Sequence, residues 1–259
     1  MPRIIDAFYY NGEVDILQMR LNILDKYVDE FIILEADKTF SGIPKSYYLE
    51  RDKSSWKPWE HKIKTFLITS DIWEKYYEIA KSSPNTNGAD HWKTEFMMKE
   101  CMKDALTHLS DEDVVFISDC DEIWDPKSLI DLPVWSIYGE RSYRIKQKVY
   151  VYQYDLRSNE EWAGTLLAKY KNIKNEVLNH LRVWNHPRIG DGWHFTSMGG
   201  IEAVRKKLND QYTEQSYNTE HTRRLLEERF GKADWLDRDF VYHVDASEWP
   251  EYLKLKLNK

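Results

Sequence analysis

The run Val114-Val115-Phe116-Ile117-Ser118-Asp119-Cys120-Asp121-Glu122-Ile123 constrains this chain more than any other stretch. Four apolar residues in a row, three of them β-branched, predict a buried strand. That strand ends in three carboxylates, Asp119, Asp121 and Glu122, ahead of Trp124-Asp125-Pro126. Negative charges crowded at one strand end repel each other unless a positive charge lies among them, commonly a hard divalent cation. The carboxyl end of strands in an open α/β sheet is also where ligands bind. The run therefore predicts a metal site holding a phosphate-bearing substrate. The plainer alternative is a polar turn, with Asp119 as a cap and the other two solvated.

The elements around it alternate. Arg3 to Tyr10 predicts a strand closed by Asn11-Gly12. Val14 to Tyr27 has helical spacing through Ile16, Leu17, Leu21 and Leu24, and Glu30 to Glu35 predicts a second strand. A third strand is expected at Ile63 to Ile68, a loop at Ser82 to Gly88, and a helix from His91 to Leu109 leading into the Val114 run. Such alternation predicts βαβ units and a mainly parallel, Rossmann-like sheet flanked by helices. Tyr143 to Tyr154 alternates as antiparallel strands do, and Leu166 to Tyr170 and Leu181 to Trp184 are expected as further short strands. Ile201 to Lys259 is expected to be mostly helical, starting after Gly199-Gly200 and breaking at Gly231. The reading is one α/β domain over residues 1–259, with halves at 1–125 and 126–259.

The net charge of −7 argues against a nucleic-acid partner, since phosphate neutralisation needs a basic tract. Arg205-Lys206-Lys207 and Arg223-Arg224 are expected as solvated helix faces. Cys101 and Cys120 have no zinc-type spacing and are too few for a disulfide framework. No segment reaches the apolar length of a membrane span and no signal peptide is visible, so a cytoplasmic location is expected. The 11 Trp and 17 Tyr suit a carbohydrate or nucleotide ligand, because such rings stack on sugar faces while their polar edges donate hydrogen bonds.

Four polar patches combine with turn signals: Asp6 to Glu13, Glu35 to Gly42, the carboxylate cluster, and Gly190-Asp191-Gly192-Trp193-His194-Phe195. In a parallel sheet the first three converge on one edge. In the fourth, the glycines allow a tight loop presenting Asp191 and His194. His194 could add an imidazole to a cation held by Asp121, and a mixed carboxylate and imidazole set suits Mn²⁺ as well as Mg²⁺. The competing readings are a buried histidine satisfied by carbonyls and, for Asp191, an Asx-turn. Arg20 reads as a solvated helix-surface residue, as a partner of a neighbour such as Glu13 or Asp25, or as a partner of Asp6. Trp92 and Glu95, near a helix start, could border a donor sugar, or serve as core and cap.

Ile5 to Glu13, Arg20-Leu21-Asn22, Glu35 to Gly42, Ser118 to Ile123 and Gly192 to Phe195, in that order, resemble glycosyltransferase family 17, over roughly residues 4 to 253. The resemblance implies a GT-A fold, a nucleotide-sugar donor (UDP-GlcNAc in the characterised branch), a glycan acceptor, a divalent cation and an inverting transfer. It implies Asp119 and Asp121 as the Asp-x-Asp element with Glu122 adjoining. On this reading Asp121 is the direct metal ligand, Asp119 meets the metal or the ribose, and His194 completes the shell. Phe8, Tyr9, Tyr10 and Asn11 face the uracil, with Arg20, Glu35 and Thr39 among the donor-binding residues. The base that an inverting transfer needs is expected among Asp191, Glu122 and Glu202, with Asp191 first. Two other classes share parts of the pattern: a haloacid-dehalogenase-like phosphohydrolase, with Asp119 as nucleophile, and a non-catalytic sugar-binding module.

Overall fold

A computed structural model describes residues 2–83, 90–130, 141–183, 186–212 and 216–257. Twelve strands among these form two sheets. The larger begins with β1 (Ile4–Tyr9), β2 (Glu30–Ala36) and β3 (Ile63–Ile68), joined in parallel, with β4 (Val114–Asp119) parallel to β1 on its other side. Antiparallel β9 (Leu166–Lys169) follows, then β6 (Tyr143–Ile145) and β10 (Arg188–Ile189), in the order β10-β6-β9-β4-β1-β2-β3. The expected mixed, mainly parallel sheet flanked by helices is what the chain forms.

After β1 the chain winds outward to β2 and β3, then returns to place β4 against the opposite edge of β1. The carboxyl ends of β1 and β4 are thus adjacent, with Tyr9 paired to Asp119. This reversal of winding opens a crevice at the strand ends.

Strand residues alternate between two buried faces. Phe8, Phe31, Ile33 and Phe116 pack with α1 (Val14–Leu24), whereas Ile5, Ala7, Ile32, Val115 and Ile117 pack with α2 (Asp90–Glu100). Burial on both faces explains the unbroken apolar run before Asp119. The predicted helix over 91–109 is interrupted at Cys101 and resumes at Met102–Ala105.

The second sheet has the order β12-β8-β7-β11-β5, made of β12 (Tyr242–Val244), β8 (Leu156–Trp162), β7 (Gln147–Val151), β11 (Gly192–Thr196) and β5 (Glu122–Trp124). One face joins the first core through Tyr150, Trp193 and Phe195. The other, through Val149 and Val151, packs on Val204, Leu208 and Leu226. Only Cys120 and Asp121 separate β4 from β5, so the carboxylate cluster sits at the corner where the chain leaves one sheet for the other.

Three expectations are corrected. Leu178–Val183 is a helix, α3, instead of a strand from Leu181, and Trp184 lies outside the described residues. The expected loop at 82–88 starts as a helix end at Ser82, and its residues 84–88 also lie outside them. The C-terminal third is only partly helical: α4 (Ile201–Gln211) and α5 (Glu220–Arg229) are followed by strand β12 and a last helix at Glu251–Lys256.

Arg20, on α1, is fully buried and joins these parts. Its Nε and Nη2 donate to the two oxygens of Asp6 at 2.7 Å each, and Nη2 donates to Ser118 Oγ at 2.7 Å. Its Nη1 donates to the carbonyls of Asp119, Cys120 and Glu122 at 3.0, 3.2 and 3.0 Å. Phe8 lies flat beneath the guanidinium, 4.3 Å from ring centre to Cζ, and Trp124 donates to Asp6 at 3.0 Å. Removing one member of such a pair strands a buried charge, at about 3–5 kcal/mol. Arg20→Met is therefore expected to lose about that much in urea unfolding. An Asp6→Leu/Arg20→Met double variant should recover only part, because three loop carbonyls still lack their donor. A double variant as stable as the parent would contradict this.

Candidate functional site

A cavity of about 490 Å³ opens where the carboxyl ends of β1, β2 and β4 meet the second sheet. Tyr9, Tyr10, Asn11, Thr39, Asp119, Asp121, Glu122 and His194 line it, so most of the residues singled out from sequence gather in one place. Five do not reach it. Phe8 and Arg20 are buried behind it, and Arg20 is neither solvated nor exposed to a ligand. Glu35 is also buried, accepting from Lys45 Nζ at 2.5 Å and from the backbone N–H groups of Tyr48 and Leu49 at 2.6 and 2.9 Å. Glu202 is exposed on α4 beside Arg205. Asp191 does not line the cavity, and its backbone is tied to Ser128, whose hydroxyl accepts from the Asp191 N–H at 2.8 Å.

The segment 190–195 is a loop only at its start. From Gly192 it is strand β11, antiparallel to β5, with His194 opposite Glu122 and the Phe195 N–H donating to the Asp121 carbonyl at 2.9 Å. Gly192 is needed for room: a Cβ there would stand 2.5 Å from the Ile123 carbonyl. The pairing carries His194 to Asp121, Nε2 lying 3.5 Å from Oδ2.

Each carboxylate of the cluster has distinct partners. Asp119 faces Lys99 of α2 at 3.1 Å and Arg182 of α3 at 3.2 Å. Burial would raise its carboxyl pKa, but Arg182 and then Lys99 hold it far below the usual range. Glu122 is locked, accepting from Trp162 Nε1 at 2.8 Å and the Asp119 N–H at 3.2 Å, with Arg182 at 3.6 Å. It fits only because residue 164 is glycine, where a Cβ would fall 1.9 Å from Glu122 Oε1. Asp121 meets His194 and, at 3.7 Å, Lys207.

Lys207 corrects the expectation of a solvated 205–207 face. Arg205 does stay at the surface, but Lys207 reaches into the cavity and donates to Thr196 Oγ1 at 2.8 Å. Its signal was a lysine beside Leu208 on the stripe begun by Val204. Arg144, Arg182 and Trp162 also line the site and carried no such local signal.

Among the described residues no three His, Cys, Asp or Glu side chains converge as a metal cage. The chain offers two donors, Asp121 and His194, at a separation close to the about 3 Å between adjacent ligands of an octahedral ion. His194 Nδ1 is buried without a hydrogen-bond partner. This half-site suits a cation whose remaining ligands are substrate phosphates and water.

The profile of Glycosyltransferase family 17 matches residues 1–199. The chain belongs to this family. Its chemistry is glycosyl transfer, which sets it apart from the hydrolase and binding-module readings. No curated protein matches the chain significantly. Solved structures similar to it include mouse xyloside xylosyltransferase 1 in its apo form, at 9% identity and TM-score 0.39, covering 70% of this chain and 71% of that one. Another is 4-diphosphocytidyl-2C-methyl-D-erythritol synthase from Anaerococcus prevotii, at 10% identity and TM-score 0.37, covering 70% and 75%. Among the described residues no helix of this family 17 chain is long and apolar enough to cross a membrane.

Burial alone would lower the His194 pKa, but the Asp121 carboxylate more than offsets it and holds the imidazole above its ordinary value of 6.5. A histidine raised on folding contributes stability that is full below its unfolded pKa and is lost as pH rises through the folded one. In metal-free protein, an NMR titration of His194 is expected to give a midpoint above 6.5, and Asp121→Asn should bring it below. Equal midpoints in the two proteins would contradict the pairing.

Proposed function

We propose that this chain is an inverting, metal-dependent glycosyltransferase that moves a sugar, expected to be GlcNAc, from a UDP-sugar to a glycan hydroxyl. The observation that carries the reading is the convergence of Asp121 and His194 at the mouth of the β1/β4 crevice. These two residues would hold Mn²⁺ or Mg²⁺, which when bound neutralises the diphosphate as it leaves.

The chain's own groups divide the remaining work. Tyr9, Tyr10, Asn11 and Thr39 edge the crevice where β1 and β2 end, and offer ring faces and hydrogen-bonding groups to uracil and ribose. Asp119, kept ionised by Arg182 and Lys99, remains an acceptor for a ribose or sugar hydroxyl. Lys207, already beside Asp121, adds a fixed positive charge next to the departing phosphate. Trp162 inclines over His194, ring centres 5.1 Å apart at 31°, and keeps the imidazole aimed at Asp121.

Calorimetry with a panel of UDP-sugars, in Mn²⁺ and in chelator, tests this directly. One sugar is expected to bind in a metal-dependent manner, and Asp121→Asn should lose at least about tenfold in affinity. Binding that survives both chelator and the substitution would overturn the metal assignment. A folded protein that binds none of the panel would overturn the donor site.

A further inference from the structure

An inverting transfer needs a carboxylate or imidazole that is free to take a proton from the acceptor. Three carboxylates of the cavity are held by the contacts given above: Asp119, Asp121 and Glu122. Glu95 is paired with Lys99 at 2.7 Å, and Glu13, at the mouth, accepts from the Asn11 N–H at 2.8 Å. Asp234 is saturated by two backbone N–H groups, the Tyr242 hydroxyl and the Arg238 guanidinium.

Glu160 differs. It lines the same cavity with its side chain 15% exposed, and among the described residues its carboxylate accepts no hydrogen bond. Its nearest cation is Arg238, whose Nη1 stands 3.7 Å away, beyond hydrogen-bond reach, while its Nε and Nη2 are committed to Asp234 at 3.1 and 2.7 Å. Its backbone is fixed, the N–H donating to Ser158 Oγ at 3.1 Å.

The sheet sets where that carboxylate lies. The pairing of β8 with β7 is irregular over residues 158–160, yet the even-numbered residues of β8 stay more buried than Asn159 and Glu161, which puts Glu160 on the face of Trp162. Trp162 bonds Glu122 and covers His194, while β8 is separated from the strand of His194 by β7 alone. Two strand spacings are about 10 Å, room for a sugar ring and an incoming hydroxyl. Beyond Glu160 the cavity wall is aromatic: Trp92, Tyr212 and Trp235 meet edge to face at 6.3 and 6.5 Å.

We propose that Glu160 is the base that deprotonates the acceptor hydroxyl, and that the Trp92–Tyr212–Trp235 wall seats the acceptor sugar. This rests on the transferase reading above. The acceptor oxygen bonds to the anomeric carbon from the side opposite the diphosphate as the bond from that carbon to the phosphate oxygen breaks. The electron pair of that bond leaves with UDP, and the hydroxyl proton passes to the Glu160 carboxylate.

The test uses the UDP-sugar selected by calorimetry with a panel of simple glycoside acceptors. Glu160→Gln is expected to lower kcat by about 10²–10⁴-fold while UDP binding in Mn²⁺ is unchanged, which also reports that the variant is folded. In Glu160→Ala, azide, a nucleophile that needs no deprotonation, should restore UDP release and give a glycosyl azide of inverted configuration. Trp92→Ala should raise the acceptor KM several-fold without altering UDP binding. A Glu160→Gln enzyme within about fivefold of wild type, or a loss that azide leaves untouched, overturns the base assignment while the transferase stands. An unchanged acceptor KM in Trp92→Ala overturns the wall, and a wild type that turns over no UDP-sugar overturns the transferase reading itself.

Discussion

Everything at this site hangs from one buried ion pair. Arg20 and Asp6 are withdrawn from water, yet every N–H of the guanidinium finds an acceptor, and those acceptors belong to β1, the end of β4, the Cys120–Asp121 corner and the start of β5. A buried pair contributes little net stability compared with apolar residues of similar volume. Its use here is geometric. The carbonyls of Asp119, Cys120 and Glu122 around a tight corner are fixed by one planar donor set that a lysine could not reproduce. The carboxylates above that corner are therefore presented on a rigid base, with the Trp124 ring stacked on Phe116 beneath it, centres 4.0 Å apart.

Charge is then apportioned residue by residue. The chain carries a net −7, but its cavity gathers Lys99, Arg144, Arg182 and Lys207 close to the carboxylate cluster. Asp119 and Glu122 are neutralised by protein cations and become fixed hydrogen-bonding groups. Asp121 is left with an imidazole and a more distant lysine, partners that a divalent ion and a phosphate can supplement. Three carboxylates adjacent in sequence thus have three different electrostatic settings, imposed by which helix or strand faces each one.

Much of this could be read in the sequence because it is local. The apolar run ending in Asp119 and the Asn11-Gly12 turn encode strands and their ends, and βαβ alternation encodes a mainly parallel sheet. His194 was found by its glycine-rich neighbourhood, although the glycines act differently than expected. Gly192 makes room for the Ile123 carbonyl, and the backbone of Asp191 is pinned by Ser128 and by the Asp125 N–H. What sequence could not encode is what lies across from a residue. Asp6 is legible as a partner of Arg20, but nothing local reveals the three carbonyls that its other nitrogen meets. Glu202 and Lys207 share one helix, and only packing decides that the lysine enters the cavity. Glu160 and Arg182 become visible only once the second sheet and α3 are folded onto the first.

The central claim is that the clamped corner presents Asp121, with His194, to a cation beside the nucleotide. Crystals grown with UDP and Mn²⁺, with the manganese located by its anomalous scattering, address it most directly. The account predicts a single strong peak within ligand distance of Asp121 and His194, with the diphosphate on its open side. Bound UDP with manganese elsewhere, or with Asp121 and His194 still facing each other and no peak between them, would contradict it.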